Sequence, residues 1–141
     1  MKMFLGEYNP NITEGSRIAL PKKLREQIVS DDIVLAKGFE KCVLLYEKQD
    51  WAEKVEKQVE NLKDQVKRSD LERYLFTSAS EASVDSQGRL VIPTPLKEFA
   101  GIKSETAVIG VGDHIEIWDK DTWVSHLEEI TNGLSQTNSF K

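Results

Sequence analysis

The chain contains one phrase twice. The ten residues from Arg17 to Glu26 (RIALPKKLRE) return from Arg89 to Glu98 (RLVIPTPLKE), 72 positions later. The register holds without a gap through most of each half. Phe4 falls on Phe76, Pro21 on Pro93, Leu24 on Leu96, Gly38 on Gly110, Lys48 on Lys120 and Trp51 on Trp123. Thr13 with Asp85, Arg25 with Lys97 and Tyr46 with Trp118 are softer matches. A repeat this long decides the fold, because any surface the unit uses is presented twice. Each copy has roughly 50 residues outside a middle segment, which is marginal for an independent core. Cys42 is the only cysteine, so no intrachain disulfide supports it. The two halves are therefore expected to bury each other.

Local patterns give the elements. Residues 4–8 and 76–80 read as opening strands, followed by turn segments at 9–16 and 85–88 rich in Asn, Asp, Gly and Ser. An alternating strand follows each turn, Arg17 to Leu20 and Arg89 to Ile92, and Pro21 and Pro93 stop them. Thr94 as cap, Pro95 at the first helical position and Gly101 past the end predict a short helix over 95–100, and by register another over 22–28. Further strands are expected at 33–36, 42–46, 106–110 and 114–118. Asp50 and Glu53 open a long helix whose stripe is Trp51, Val55, Val59, Leu62 and Val66. The chain thus divides into a first repeat (1–52), a long amphipathic helix (53–72), a second repeat (73–122), and a C-terminal helix (123–130) with a frayed tail to 141. The fold class is α+β.

Charge is local rather than global. The net charge of −5 argues against a generally basic nucleic-acid binder. Residues 16–25, however, carry Arg17, Lys22, Lys23 and Arg25 with no acid, while 47–72 hold eight acidic residues. A basic patch on one face is compatible with that distribution. Asp85, three residues before Gly88 and four before Arg89, can orient a guanidinium at a strand edge, where it would fork onto guanine or phosphate. A hairpin with a local salt bridge explains one such pair as well. Recurrence of Arg17 at the equivalent place favours the functional reading, since turn chemistry does not require arginine. Lys22, Lys23 and Arg25 read either as phosphate contacts or as a solvated face. The helix stripe reads as a partner seam or as internal packing, and the three tryptophans as core or interface anchors. The first half, being more basic, is expected to carry more of any nucleic-acid contact.

Catalytic signals are missing. The chain has no HExxH, no GxSxG, no phosphate-cradling loop and no Cys/His cluster, so it is read as a non-enzyme without metal or cofactor. Asp113 and His114 would hold a metal only with ligands from elsewhere. No apolar run approaches the roughly 20 residues of a membrane helix, and the start lacks a signal-peptide core, so a cytoplasmic protein is expected.

In combination, the segment Asp85 to Pro93 (DSQGRLVIP), the segment Gly110 to Asp119 (GVGDHIEIWD), the start Met3 to Tyr8 and the stretch Ala79 to Ala82 closely resemble the MraZ family over residues 3–130. The resemblance implies a pseudo-two-fold, swapped-hairpin AbrB-like β-barrel built from both repeats, with helices packed outside. It implies a nucleoid-associated transcriptional regulator that binds DNA at short direct repeats as a ring-shaped homo-oligomer. The implied targets are the division and cell-wall gene cluster and its own operon, with no small-molecule ligand. The family's DNA-contacting arginine maps onto Arg17. Thr13, with Glu14 beside it, occupies the position held by Asp85 in the second copy. AbrB-like barrels also serve as antitoxins, and a protein-binding module is the alternative reading.

Overall fold

The computed structural model describes residues 2–137, where the two phrases become two copies of one strand–helix–hairpin unit. The first half runs β1 (Glu7–Tyr8), β2 (Arg17–Ala19), α1 (Lys22–Arg25), β3 (Ile33–Lys37) and β4 (Val43–Glu47), followed by α2 (Lys48–Glu60). Helix α3 (Gln65–Ser78) leads into β5 (Ser80–Ala82), β6 (Arg89–Val91), α4 (Thr94–Ala100), β7 (Thr106–Gly110), β8 (Ile115–Asp119) and α5 (Lys120–Ser135). Pro21 and Pro93 hold φ at −55° and turn each ribbon strand directly into its short helix. Gly101 closes α4 with the left-handed backbone (φ 63°) that a residue without Cβ adopts most easily.

The halves are joined by exchange. Hairpins β3–β4 and β7–β8 meet along β4–β8, and the sheet order is β1-β7-β8-β4-β3-β5. Strand β1 of the first half therefore lies on the second half's hairpin, and β5 lies on the first half's. The six-stranded sheet is open, with β1 and β5 at its edges, while β2 and β6 pair only with each other as a separate antiparallel ribbon. One core lies between ribbon and sheet. Ile18, Leu24, Leu35 and Leu45 from the first half meet Leu90, Leu96, Ile115 and Ile117 from the second, all essentially solvent-free. Burial of each such side chain stabilises the fold by about 1.5–3 kcal/mol, and every one draws on both repeats. Two smaller clusters cover the outer sheet face. Trp51, Val55 and Val59 of α2 and Leu75 of α3 pack on Val34, Ala36 and Tyr46, and Trp118 packs with Trp123 of α5. The three tryptophans and Cys42 are all buried.

The symmetry extends to buried acids. Glu47 and Asp119, 72 positions apart, end the two hairpins and reach back to the loops that precede them. Glu47 accepts from the backbone N–H of Val29 and of Ser30, and Lys2 pairs with it. Asp119 accepts from the Lys103 N–H at 3.1 Å and caps α5.

Several sequence expectations are corrected. Residues 61–64 interrupt the single helix expected over 53–72, because the Asp64 side chain accepts from Val66 and Lys67 and starts a new helix. Val66, expected on the buried stripe, is exposed. Phe76 lies in α3 rather than in a strand, and its ring meets Trp51 edge-on at 5.4 Å. Only Glu7–Tyr8 of the first opening strand is regular, with Phe4 held by an isolated bridge to Gly112. Thr94 is the first residue of α4 rather than its cap, and α1 ends at Arg25 rather than at residue 28. Helix α5 absorbs residues 131–135 of the tail expected to fray, and 138–141 lie outside the described residues.

Exchange of β1 requires a close backbone approach at Gly110, where a Cβ would collide with the main chain of Phe4 and Leu5. Gly110→Ala should lower stability by about 1–3 kcal/mol. Gly133→Ala, on an open part of α5, should raise it by about 0.5–1 kcal/mol. Urea midpoints of the two variants test this contrast.

Candidate functional site

The β2–β6 ribbon is three residues long on each side and two-faced. Ile18 faces Leu90 at its centre, and both point into the core. Arg17 lies opposite Val91 and Arg89 opposite Ala19, so these four alternate onto the outer face. The antiparallel pairing sets the two arginines one diagonal apart, with Cα atoms about 7–8 Å from each other. Each strand end is tied to the other half's turn: the Leu20 N–H donates to the Gly88 carbonyl and the Ile92 N–H to the Ser16 carbonyl.

The two turns are built alike and charged differently. In the second, Asp85 Oδ1 accepts from the N–H groups of Gln87 and Arg89, each at 2.9 Å, and Oδ2 accepts from Arg89 Nε at 3.2 Å. The Arg89 N–H above all, with Gln87 and the guanidinium adding to it, holds this carboxyl below its ordinary range. Among the described residues Nε is the one guanidinium nitrogen of Arg89 that is bonded. In the first turn Thr13 Oγ1 donates to the Arg17 carbonyl, and Arg17 Nη1 donates to the Glu14 carbonyl at 3.4 Å. Glu14 thus serves through its backbone and not its carboxylate. Arg17 is the more loosely held of the two arginines.

The remaining predicted cations distribute unevenly. Lys22 and Lys23 are exposed on α1, with Lys22 3.9 Å from Glu26. Arg25 is half-buried, and its guanidinium lies so close over Gly88 that a Cβ there would displace it. Lys97, its counterpart 72 positions later, reaches from α4 to Ser16, with Nζ 3.4 Å from Oγ. Each turn is thus met by a cation from the opposite half. Cations from both halves meet at two composite turns: Arg17 with Lys97, and Arg89 with Arg25. Ser16 and Lys97 were missed at the sequence level. Their signal was the repeat itself, which aligns Lys97 with Arg25 and Ser16 with Gly88.

The comparisons agree with this duplicated geometry. A family model described as "MraZ protein, putative antitoxin-like" matches twice, over residues 3–73 and 75–140. Its two starts reproduce the 72-residue offset. The chain belongs to the MraZ family. It is 39% identical over 137 residues to the "Transcriptional regulator MraZ" of Syntrophomonas wolfei, covering 95% of this chain and 93% of that protein. The proteins of the same name from Paenarthrobacter aurescens and Micrococcus luteus are 37% and 35% identical, each covering 96% of this chain and 94% of its relative. These MraZ relatives match over nearly their whole length, so both composite turns lie within the shared region.

Asp113 and His114, weighed as metal ligands, are joined instead. His114 Nδ1 lies 2.7 Å from Asp113 and Nε2 2.9 Å from Glu116, and its ring stacks on Tyr46 of β4. Both nitrogens can donate to carboxylates only as the imidazolium. Lys54 of α2 stands 3.9 Å from Asp113, and His126 of α5 acts on Glu116. Burial opposes the charge, but Glu116 and Asp113 outweigh it and raise the His114 pKa above its ordinary value. A raised folded-state pKa gives stability that is complete below the unfolded value, about 6.5, and is lost as pH rises through the folded value. The stability gap between the native protein and His114→Gln should therefore shrink as pH rises from about 6 to about 9, measured by urea midpoints.

Proposed function

We propose that this protein is a DNA-binding transcriptional regulator whose reading surface is the outer face of the β2–β6 ribbon. One observation carries the reading: Arg17 and Arg89 sit on the solvent face of a two-fold ribbon whose other face is sealed in the core. A rigid base with two outward guanidinium groups suits bidentate contact to guanine edges or phosphates. The relatives named transcriptional regulators support the same reading. Lys22, Lys23 and Arg25 would add phosphate contacts, and Asp85 would act by orienting Arg89.

The finer reading follows from the family resemblance. The swapped-hairpin barrel of the AbrB-like kind that the resemblance implies would be assembled from the ribbon and the two hairpins with their exchanged opening strands. Short direct repeats upstream of the division and cell-wall genes, and of the chain's own operon, would be the targets, in a nucleoid-associated role. A net charge of −5 disfavours tight binding by one copy, so a ring-shaped homo-oligomer would gain affinity through effective concentration. Val124, Leu127, Ile130 and Leu134, exposed on α5, suit self-association. Among the described residues, no helix is long and apolar enough to cross a membrane.

The test is binding to the chain's own upstream DNA against scrambled DNA of equal length, across a salt series. Preference for the first and a steep fall in affinity with salt are expected. Arg17→Ala should weaken binding by about 1–3 kcal/mol without changing melting temperature or oligomer size. Equal, weak binding to both DNAs would overturn the proposal. Co-purification with a second small protein at fixed stoichiometry would favour the antitoxin-like reading instead.

A further inference from the structure

We infer that Ser16 and Lys97 form a built phosphate-holding site at the first turn, with Lys97 touching the DNA backbone and Ser16 positioning it. This rests on the DNA-binding reading and adds two residues to it, one of them from the half opposite Arg17.

The argument starts from a backbone outlier. Among the described residues Ser16 is the sole non-glycine with positive φ (56°), and the equivalent position holds Gly88 (φ 78°). A side chain in this region is disfavoured, and such positions are most often found where the side chain has a use. Here the use is visible: the Ser16 hydroxyl accepts from the Lys97 ammonium at 3.4 Å. Lys97 is half-buried on α4 and has no carboxylate within ion-pair distance among the described residues. Its charge is held in place rather than neutralised.

The second turn supplies the contrast. There Arg25 presses on a glycine, and the Asp85 carboxylate is bonded to Arg89. One of the two cations there, Arg89, has a bonded carboxylate. At the first turn the Arg17 guanidinium bonds the Glu14 carbonyl and lies over Gly15, and Lys97 reaches Ser16, the next residue. Among the described residues neither cation there has a bonded carboxylate, and a phosphate is the anion that would complete the set. The absence of an aspartate at Thr13 then suits the site, since a carboxylate at that position would compete with the phosphate.

The experiment measures affinity against salt for the full chain and three variants on its own upstream DNA and on scrambled DNA. Lys97→Gln should reduce the slope of log affinity against log salt by about 0.9, one phosphate contact, and weaken binding to both DNAs alike. Lys97→Arg should restore the slope. Ser16→Gly should raise the melting temperature by relieving the backbone and yet weaken binding in the same direction as Lys97→Gln. A Lys97→Gln protein with native slope and affinity would overturn the inference, as would Lys97→Arg as weak as Lys97→Gln. Those failures leave Arg17→Ala still defective. A native protein without preference for its own DNA and with a flat salt response removes the DNA-binding reading itself.

Discussion

Exchange of the opening strands is the constraint on which the rest of the structure depends. Neither hairpin has a complete set of neighbours within its own half: β7 needs β1, and β3 needs β5. Once those strands cross, β2 and β6 are left facing each other, and their inner residues close the core from above. The ribbon is therefore the junction of the two repeats and not a feature of either. Its outer face inherits a two-fold relation from the exchange. Its short length follows from the prolines that end each strand.

This explains how an acidic chain can present a basic surface. Most of the acidic excess lies on and around β8 and α5, where residues 113–135 hold six acids and one base. The cations gather where the strands cross, because α1 and α4 each reach over the turn of the other half. Duplication alone would give two equal sites. The differences between Thr13 and Asp85, and between Ser16 and Gly88, make them unequal while the backbone stays common.

Much of this was legible in the sequence because repeat and punctuation agree. The ribbon strands, the prolines that stop them and the two hairpins were readable within a residue or so, since alternation and turn residues mark short strands clearly. The break in the long helix was not. Asp64 falls inside the expected helix, but its short side chain is a good acceptor for free N–H groups and caps a new helix there. Phe76 misled because it aligns with Phe4, yet continued packing of α3 on Trp51 holds it in a helix. At the site, Arg17 and Arg89 were visible from the repeat. The crosswise reach of Arg25 and Lys97 was not, because the repeat aligns the two residues without saying which turn each one meets.

The exchange also sets an order of events during synthesis. Glu7 of the first strand pairs with Ile109 and accepts a hydrogen bond from Trp123, 116 positions away. At roughly 5–20 residues per second, translation delays that partner on the order of 5–20 s. Until residues 80–91 are made, the first hairpin exists without β5 and the first ribbon strand without β6, so apolar Ile18 and Leu20 lie uncovered on the nascent chain. Chaperone demand during synthesis, rather than the stability of the finished fold, is where a two-repeat exchanged chain differs from two separate copies of its half.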